Sequence, residues 1–197
     1  MNNINLLKTD EEDIYNQDFE SIYLTNIKFN NKTINTVTFS KCDFTNSHFE
    51  NIFFENVDFE NCDLSNAKFI DCSFRDSKFK NSKMLGTNFN NSHFTKTKIT
   101  DSICKYLNFI DAKTKELTIK NSDLTESNFY NVTFPKVLFE NVNFQKSEFL
   151  NILLNGIDFS TCNIEGIKLT EKSLKGIKVN TYQALELARL LGIDIID

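Results

Sequence analysis

The sequence predicts an all-β solenoid, in which short extended segments repeat every five residues and stack on one another. The first supporting observation is a column of large side chains. When the chain is written in units of five, 19 of its 20 phenylalanines share one position of the unit. That column has 34 positions from Ile14 to Val179, and all except Cys104 and Thr114 hold large apolar residues. Each unit therefore buries one large side chain.

Two further columns accompany the large one. Two residues before it, 21 of the 30 positions from Ile22 to Ile167 hold Ala, Ser, Thr, Cys or Val. Residues two apart lie on the same side of an extended segment, so the small and the large side chains both point inward. Two residues after it, 14 Asn, 4 Asp and 4 Gly occupy the 33 positions from Asn16 to Gly176, and these residues tolerate left-handed turns. A helix is excluded because its 3.6-residue period cannot keep a five-residue stripe on one face.

The columns are irregular in one segment. Cys104 and Thr114 are small for the large column, whereas Leu107 and Leu117 are large for the small one. Because an unfilled phenylalanine-sized hole would cost several kcal/mol, we expect these volumes to compensate. The sequence predicts a local bend or bulge over residues 104–119 rather than a cavity.

No catalytic residue, metal site or cofactor is expected. The sequence has no Gly-rich phosphate loop, no Cys/His cluster with metal spacing and no nucleophile elbow, so we expect a protein that is not an enzyme. All five cysteines fall in the interior columns, which favours buried free thiols. They are Cys42, Cys62, Cys72, Cys104 and Cys162.

A cytoplasmic location is expected from the first residues. MNNINLLKTDEEDIY lacks the basic start and apolar run of a secretory signal. No stretch reaches the roughly 20 apolar residues that span a bilayer. We therefore expect no membrane contact.

Segments such as DFENC, KFIDC, DLTES and EFLNI resemble the pentapeptide-repeat proteins, over residues 14–179. The resemblance implies four units per turn and a right-handed quadrilateral parallel β-helix of about eight coils. We expect residues 1–13 to form an N-terminal lead-in or cap, residues 14–179 the β-helix, and residues 180–197 a C-terminal helix and tail.

A helix is predicted over residues 182–191. Asn180 or Thr181 is a candidate N-cap, and Gly192 is placed to end the helix. Its apolar residues exceed what capping one coil requires, so we expect a homodimer interface, with a cap alone as the alternative. These residues are Tyr182, Leu185, Leu187, Ala188, Leu190 and Leu191.

Charge is banded along the chain, which has a net charge of −5. Residues 1–74 carry −8, residues 75–120 carry +6 and residues 121–197 carry −3. We expect an acidic partner-binding surface, with Asp43 and Asp63 stacked on one wall and Glu50, Glu55, Asp58 and Glu60 beside them. The basic band contains Lys78, Lys80, Lys98, Lys113, Lys115 and Lys120. The alternative for both bands is an ordinary solvated surface.

Four apolar residues at outward positions share one phase of the 20-residue turn. They are Ile70, Ile110, Tyr130 and Leu150, and Asn90 interrupts them. They predict an apolar stripe on one wall, a second candidate for partner contact. The alternative is a set of scattered exposed residues without a role.

The C-terminal region, with LNGIDFS and IKLTEKSLKGIKVNTYQALELARLLGI, resembles the quinolone-resistance (Qnr) branch of the family, particularly its Gram-positive members. The residues that carry the resemblance are Leu174, Gly176, Val179, Gln183, Ala184, Leu187, Ala188, Leu191 and Gly192. The resemblance implies a homodimer through C-terminal helices, and a DNA-like rod that binds DNA gyrase and topoisomerase IV and protects them from fluoroquinolones. No direct contact with nucleic acid is expected. The alternative is a scaffold protein with an unrelated protein partner.

Overall fold

The computed structural model describes residues 13–196, and these residues form a parallel β-helix that ends in a short helix. Paired strands are parallel and offset by 20 residues, as in Phe54 with Phe74 and Lys98 with Thr118. One coil therefore contains four five-residue units. The predicted quadrilateral β-helix of about eight coils is confirmed. The predicted lead-in lies outside the described residues except for Asp13.

Strands of the described chain are short because the chain turns a corner after each unit. They are β1 (Ile14–Glu20), β2 (Lys28–Asn30), β3 (Thr33–Ser40), β4 (His48–Glu50), β5 (Phe53–Glu60), β6 (Lys68–Ile70), β7 (Ser73–Arg75), β8 (Lys78–Lys80), β9 (His93–Thr95), β10 (Lys98–Thr100), β11 (Lys113–Lys115), β12 (Leu117–Lys120), β13 (Val137–Glu140), β14 (Glu148–Phe149) and β15 (Lys168–Leu169). Of these, β1, β3 and β5 continue across one corner and cover two faces.

The four faces are named from one coil. Faces 1, 2, 3 and 4 are centred on the buried residues Phe54, Phe59, Leu64 and Phe69, and on the residues 20 positions away in neighbouring coils. The residues just before and just after each centre point outward. Faces 1 and 2 hold the large sheet, face 4 holds β2, β4, β6, β14 and β15, and face 3 is joined by isolated bridges.

The core is a continuous stack of phenylalanine rings. Phe54 and Phe74 are parallel within 1° at a centroid separation of 4.7 Å, and Phe59 and Phe79 are parallel within 3° at 4.9 Å. Rings on adjacent faces meet edge to face, as Phe54 and Phe59 do at 63°. Both arrangements suit the ring quadrupole, and burial of each ring contributes roughly 1.5–3 kcal/mol.

Corners use the left-handed conformation that the turn column predicted. Positive φ recurs every five residues, for example 54° at Asn51, 54° at Asn56 and 55° at Asn61. Asparagine side chains also bond along a corner: Asn51 Nδ2 donates to Asn31 Oδ1 at 2.6 Å. These bonds between successive coils add a reason for asparagine beyond its tolerance of the turn.

The small column contains buried serines and threonines because their hydroxyls are satisfied. Ser92 Oγ donates to the Phe69 carbonyl at 2.8 Å, and Thr87 Oγ1 donates to the Leu64 carbonyl at 2.8 Å. In both cases the acceptor lies 23 residues earlier, in the preceding coil. The polar side chains thus link coils without leaving a polar group unpaired.

The irregular segment keeps the same register as the rest. Ile103 pairs with Asp123 and Lys113 with Thr133, each across 20 residues, so the predicted bulge is wrong for this described segment. Cys104 Sγ lies 3.7 Å from Met84 Sδ, and Thr114 Oγ1 donates to the Thr133 carbonyl at 2.7 Å. Leu107 and Leu117 are fully buried beside them. Compensation of volume therefore occurs without an inserted residue.

Two helices close the C-terminal end. α1 (Glu171–Leu174) is a single turn that the repeat pattern did not predict, and α2 (Thr181–Leu190) confirms the predicted helix within one residue at each end. Asn180 is the N-cap of α2 in a capping box with Gln183. Gln183 Nε2 also donates to the Phe159 and Cys162 carbonyls, at 2.8 and 2.7 Å. This side chain therefore satisfies the Cys162 carbonyl and adds a second hydrogen bond to the Phe159 carbonyl, which already accepts from the Cys162 N–H at 2.8 Å.

Candidate binding surfaces

The six predicted carboxylates do not form one surface. Asp43 and Asp63 stack on face 3, as the sequence indicated. The other four lie elsewhere: Glu50 on face 4, Glu55 on face 1, and Asp58 and Glu60 on face 2. The expectation of a shared wall is corrected because each step of five residues moves the chain to the next face.

Carboxylates of this group also pair with cations one coil later. The pairs are Glu55 with Arg75 at 3.4 Å, Asp58 with Lys78 at 2.8 Å, and Asp63 with Lys83 at 3.1 Å. Each joins residues 20 apart, where the acidic band meets the basic band. Such exposed pairs contribute little to stability, but they neutralise the field that these carboxylates would project.

The predicted apolar stripe lies on face 4. Backbone hydrogen bonds between successive coils stack its residues. The Ile110 carbonyl accepts from the N–H of Asn91, the Tyr130 carbonyl from the N–H of Asp111, and the Leu150 carbonyl from the N–H of Asn131, each at 3.0 Å. Tyr130 is 46% exposed, whereas Ile70, Ile110 and Leu150 are half-buried. The stripe is therefore continuous in space from Ile110 to Leu150.

Near the C-terminal end, the stripe opens into a groove of about 670 Å³. Tyr130, Leu150 and Leu153 supply its apolar wall, and Thr170 and Lys172 supply a polar one. Leu153 is 77% exposed. Sequence reasoning missed Leu153 because it belongs to face 1 and shares no column with the stripe; the signal was a leucine at an outward position.

The six predicted residues of the C-terminal helix divide into two groups. Leu187 is buried beside Gln183 against the last coil, and Ala188 is half-buried, so these two serve the cap. The exposed group is Tyr182 at 83%, Leu185 at 43%, Leu190 at 53% and Leu191 at 51%. Ile193 and Ile196 of the tail are 52% and 92% exposed. The helix is thus seated through Gln183 and Leu187, while apolar side chains near both of its ends stay exposed.

Part of the basic band forms a lysine patch on face 2 and its corner with face 1. We define it as Lys78, Lys80, Lys96, Lys98 and Lys120. Lys78 and Lys98 are direct neighbours in the ladder, and Thr100 lies between Lys80 and Lys120. A groove of about 370 Å³ is lined by Lys78, Lys96 and Lys98 and also by two carboxylates, Asp76 and Glu116. Lys113 and Lys115 of the predicted band lie on face 1 instead, in β11.

Within residues 13–196, no three His, Cys, Asp or Glu side chains are grouped to hold a metal ion. In the same stretch, the helices are too short or too polar to traverse a bilayer. The five cysteines are buried and free. Burial raises the pKa of the Cys72 thiol to about 12, so the thiol stays protonated at neutral pH.

Two family models match the repeats. The model for the pentapeptide repeat region matches residues 52–129, and the model for eight copies of pentapeptide repeats matches residues 122–160. The chain belongs to the pentapeptide-repeat family. Together the matches span more than half of the sequence, and no curated protein sequence matches it.

Solved pentapeptide-repeat structures are similar to the chain at low identity. Full-length QnrB1, a plasmid-mediated fluoroquinolone resistance protein, is 18% identical, with 89% of this chain and 100% of that chain covered and a TM-score of 0.43. HetL, involved in heterocyst differentiation regulation in the cyanobacterium Nostoc sp. strain PCC 7120, is 13% identical, with 90% and 96% covered and a TM-score of 0.35. Rfr23 from the cyanobacterium Cyanothece 51142 is 14% identical, with 56% and 90% covered and a TM-score of 0.37. At these identities, the likenesses assign no function to this pentapeptide-repeat chain.

Proposed function

We propose that this chain is a non-enzymatic binding protein of the bacterial cytoplasm that binds a type II topoisomerase, DNA gyrase or topoisomerase IV, and protects it from fluoroquinolones. The observation that carries the proposal is the C-terminal segment. Its Qnr-like residues Gln183 and Leu187 seat α2 on the last coil, while Tyr182 and Leu185 remain exposed. The segment thus has the seated and the free side that a dimer through C-terminal helices requires.

The main contact in this proposal is the face 4 stripe with its groove. Tyr130 and Leu153 expose apolar area that a partner would cover, and aromatic side chains are enriched where proteins bind one another. The carboxylates are a weaker candidate because Glu55, Asp58 and Asp63 are already paired with cations. This chain therefore mimics DNA only in part, and its carboxylates would speed the encounter with the topoisomerase more than they would strengthen the complex.

A homodimer through α2 is part of the proposal. Burial of Tyr182, Leu185, Leu190 and Leu191 against a second copy would cover exposed apolar side chains of the helix. We expect Leu185→Asp to give a monomer in sedimentation experiments, because it places a charge at that contact. Glu186→Gln, on the next residue, is the matched control and should remain dimeric. A wild-type monomer would leave α2 as a cap alone.

A scaffold protein with an unrelated protein partner is the second candidate. The pairing of acidic with basic residues one coil apart favours it, since a surface that imitates DNA needs unpaired negative charge. The stripe would serve such a partner equally well.

Gyrase supercoiling in the presence of ciprofloxacin tests the topoisomerase proposal. We expect the full chain to restore supercoiling as its concentration rises. Tyr130→Asp combined with Leu150→Asp should abolish this protection. The matched control is Ile103→Asp combined with Tyr106→Asp, which changes two apolar residues, 50% and 56% exposed, on and beside face 3.

Equal protection by the stripe variant and the control would remove the stripe from the contact. Absence of protection by the wild-type chain, with enzymes from Gram-positive and Gram-negative sources, would overturn the topoisomerase proposal in favour of the scaffold. Truncation after Val179 is a poorer test. It would remove the hydrogen bonds that Gln183 donates to the Phe159 and Cys162 carbonyls, and would therefore destabilise the last coil.

A further inference from the structure

Unlike the cations next to them, several lysines of the lysine patch are not paired with a carboxylate. Lys78 pairs with Asp58 at 2.8 Å and Lys120 pairs with Glu140 at 2.7 Å, each at one border of the patch. Between these borders, the outward positions of face 2 hold lysine and threonine and no carboxylate. Within the described residues, Lys80, Lys96 and Lys98 form no ion pair. These three charges are available to a ligand.

Without a bound ligand, the stacked lysines of the patch repel one another. Lys78 and Lys98 are direct partners in neighbouring strands, about 4.8 Å apart at the backbone. Like charges placed directly opposite one another on a sheet destabilise it. An anion bound to Lys78 and Lys98 on face 2 would relieve the repulsion. The groove at the corner with face 1 suits an anion less well, because Asp76 and Glu116 line it beside Lys96.

The composition of the patch indicates the class of ligand. Its outward neighbours on faces 1 and 2 include Thr95, Thr100 and Thr118, and exposed large apolar side chains are missing from faces 1 and 2 over β8 to β12. Asp76 and Glu116 lie at the corner, one coil before and one coil after Lys96. Interfaces between proteins are poor in lysine and rich in aromatic residues at their centre. Contacts to nucleic-acid phosphates come from lysine, arginine and small polar side chains. The patch matches the second description.

We propose that the lysine patch binds the phosphate backbone of duplex DNA, independently of base sequence. The face is flat and presents neither a helix nor a ribbon that could enter a groove, so base edges are not read. Acidic residues confine the contact to face 2, since Asp58 and Glu140 lie beyond its two ends and Asp76 and Glu116 lie at its corner with face 1. This proposal replaces the expectation of no direct nucleic-acid contact, and it does not depend on the topoisomerase proposal.

Fluorescence anisotropy of a labelled duplex of mixed sequence, with the full chain alone, tests it. The three unpaired lysines predict a slope of about −3 in log K against log salt concentration, at about −0.9 per neutralised phosphate. Lys80→Gln combined with Lys98→Gln should reduce the slope by about 2. A second duplex of different sequence should bind equally well.

The matched control is Lys28→Gln combined with Lys68→Gln, which removes the same charge from face 4, on the opposite wall. We expect this variant to bind like the wild type, with unchanged circular dichroism in both variants. Equal losses in both variants, or no binding at low salt, would overturn the proposal. So would equally tight binding of poly-glutamate, because the patch would then suit an acidic protein.

Discussion

The early coils, residues 33–80, and the late coils, residues 130–170, use the same repeat with different regularity. In the early coils, β3 and β5 each have eight residues and cover two faces. In the late coils, β13 has four residues and β14 and β15 have two each. The ring planes of face 2 follow the same trend: Phe59 and Phe79 differ by 3°, whereas Phe139 and Phe159 differ by 45°.

Residues 134–138 explain much of the difference. Pro135 has no backbone N–H to donate, and Lys136 does not take the left-handed conformation that the turn column requires. Phe134 is only half-buried, and its column neighbours one coil away are Thr114 and Leu154 rather than phenylalanines. Regularity therefore depends on matched residues in neighbouring coils, and the number of phenylalanines alone does not produce it.

Of the substitutions that test this comparison, removal of a stacked ring should lower the free energy of unfolding most. We expect Phe54→Ala to lower the free energy of unfolding by about 3–5 kcal/mol, since Phe54 is fully buried and stacks on Phe74. Phe134→Ala should cost about half as much because the ring is only half-buried. Urea denaturation followed by circular dichroism measures both.

Phe53→Ala is the matched control in the same strand. Phe53 points outward, with the Arg75 guanidinium 5.2 Å from its ring centroid, and its loss should cost about 0.5–1 kcal/mol. If Phe54→Ala and Phe134→Ala cost the same, the late coils would be as tightly packed as the early ones.

A corner substitution should have an intermediate effect. Asn51 has φ of 54° and bonds to Asn31, so Asn51→Val places a β-branched residue in the left-handed region and removes that bond. We expect a loss of about 1–2 kcal/mol in thermal or urea unfolding. Lys136→Val occupies the equivalent position of its unit, without positive φ, and should change stability by less than about 0.5 kcal/mol. Equal losses would contradict the role given to the corner conformation.

The regular parts of the fold were predictable because each depends on a local rule repeated many times. Large, small and turn columns predicted inward side chains and corners, and Asn180 with Gly192 predicted the limits of α2. The two hydrogen bonds that Gln183 donates to the Phe159 and Cys162 carbonyls were not predictable, because they depend on where these carbonyls lie in the last coil. The half-buried Phe134 likewise depends on its neighbours in space.

For the candidate sites, residues 20 apart were predicted better than residues close in sequence. The stripe from Ile110 to Leu150 is contiguous because its members differ by multiples of 20. Glu55 and Asp58 are three positions apart in the sequence and were expected on one wall, but a corner between them places them on different faces. The same 20-residue rule would have predicted the pairs with Arg75 and Lys78.

The smallest predicted effect concerns two aspartates at the same position of face 3, Asp43 in the early coils and Asp123 further along. Each accepts a hydrogen bond from the threonine hydroxyl two residues later, at 2.6 Å from Thr45 and 2.5 Å from Thr125. Asp123 alone of the two also has a lysine partner, Lys105 at 3.2 Å. Burial raises the pKa of the Asp123 carboxyl, but the bonds from Thr125 and the charge of Lys105 outweigh burial and hold the pKa below its usual 3.8.

A carboxyl with a lowered pKa stabilises the fold above the pKa of the unfolded chain, and this stability is lost as the pH falls through the folded value. We therefore expect Asp123→Asn to lower the melting temperature slightly at neutral pH, by the equivalent of less than about 1 kcal/mol. This gap between the melting temperatures of the variant and the wild type should close below about pH 3. The gap should also shrink in about 1 M NaCl, where charges are screened beyond about 3 Å. Asp43→Asn, which removes no ion pair with lysine, should show no such salt response; an equal response from both variants would mean that Lys105 contributes nothing to the difference between these two coils.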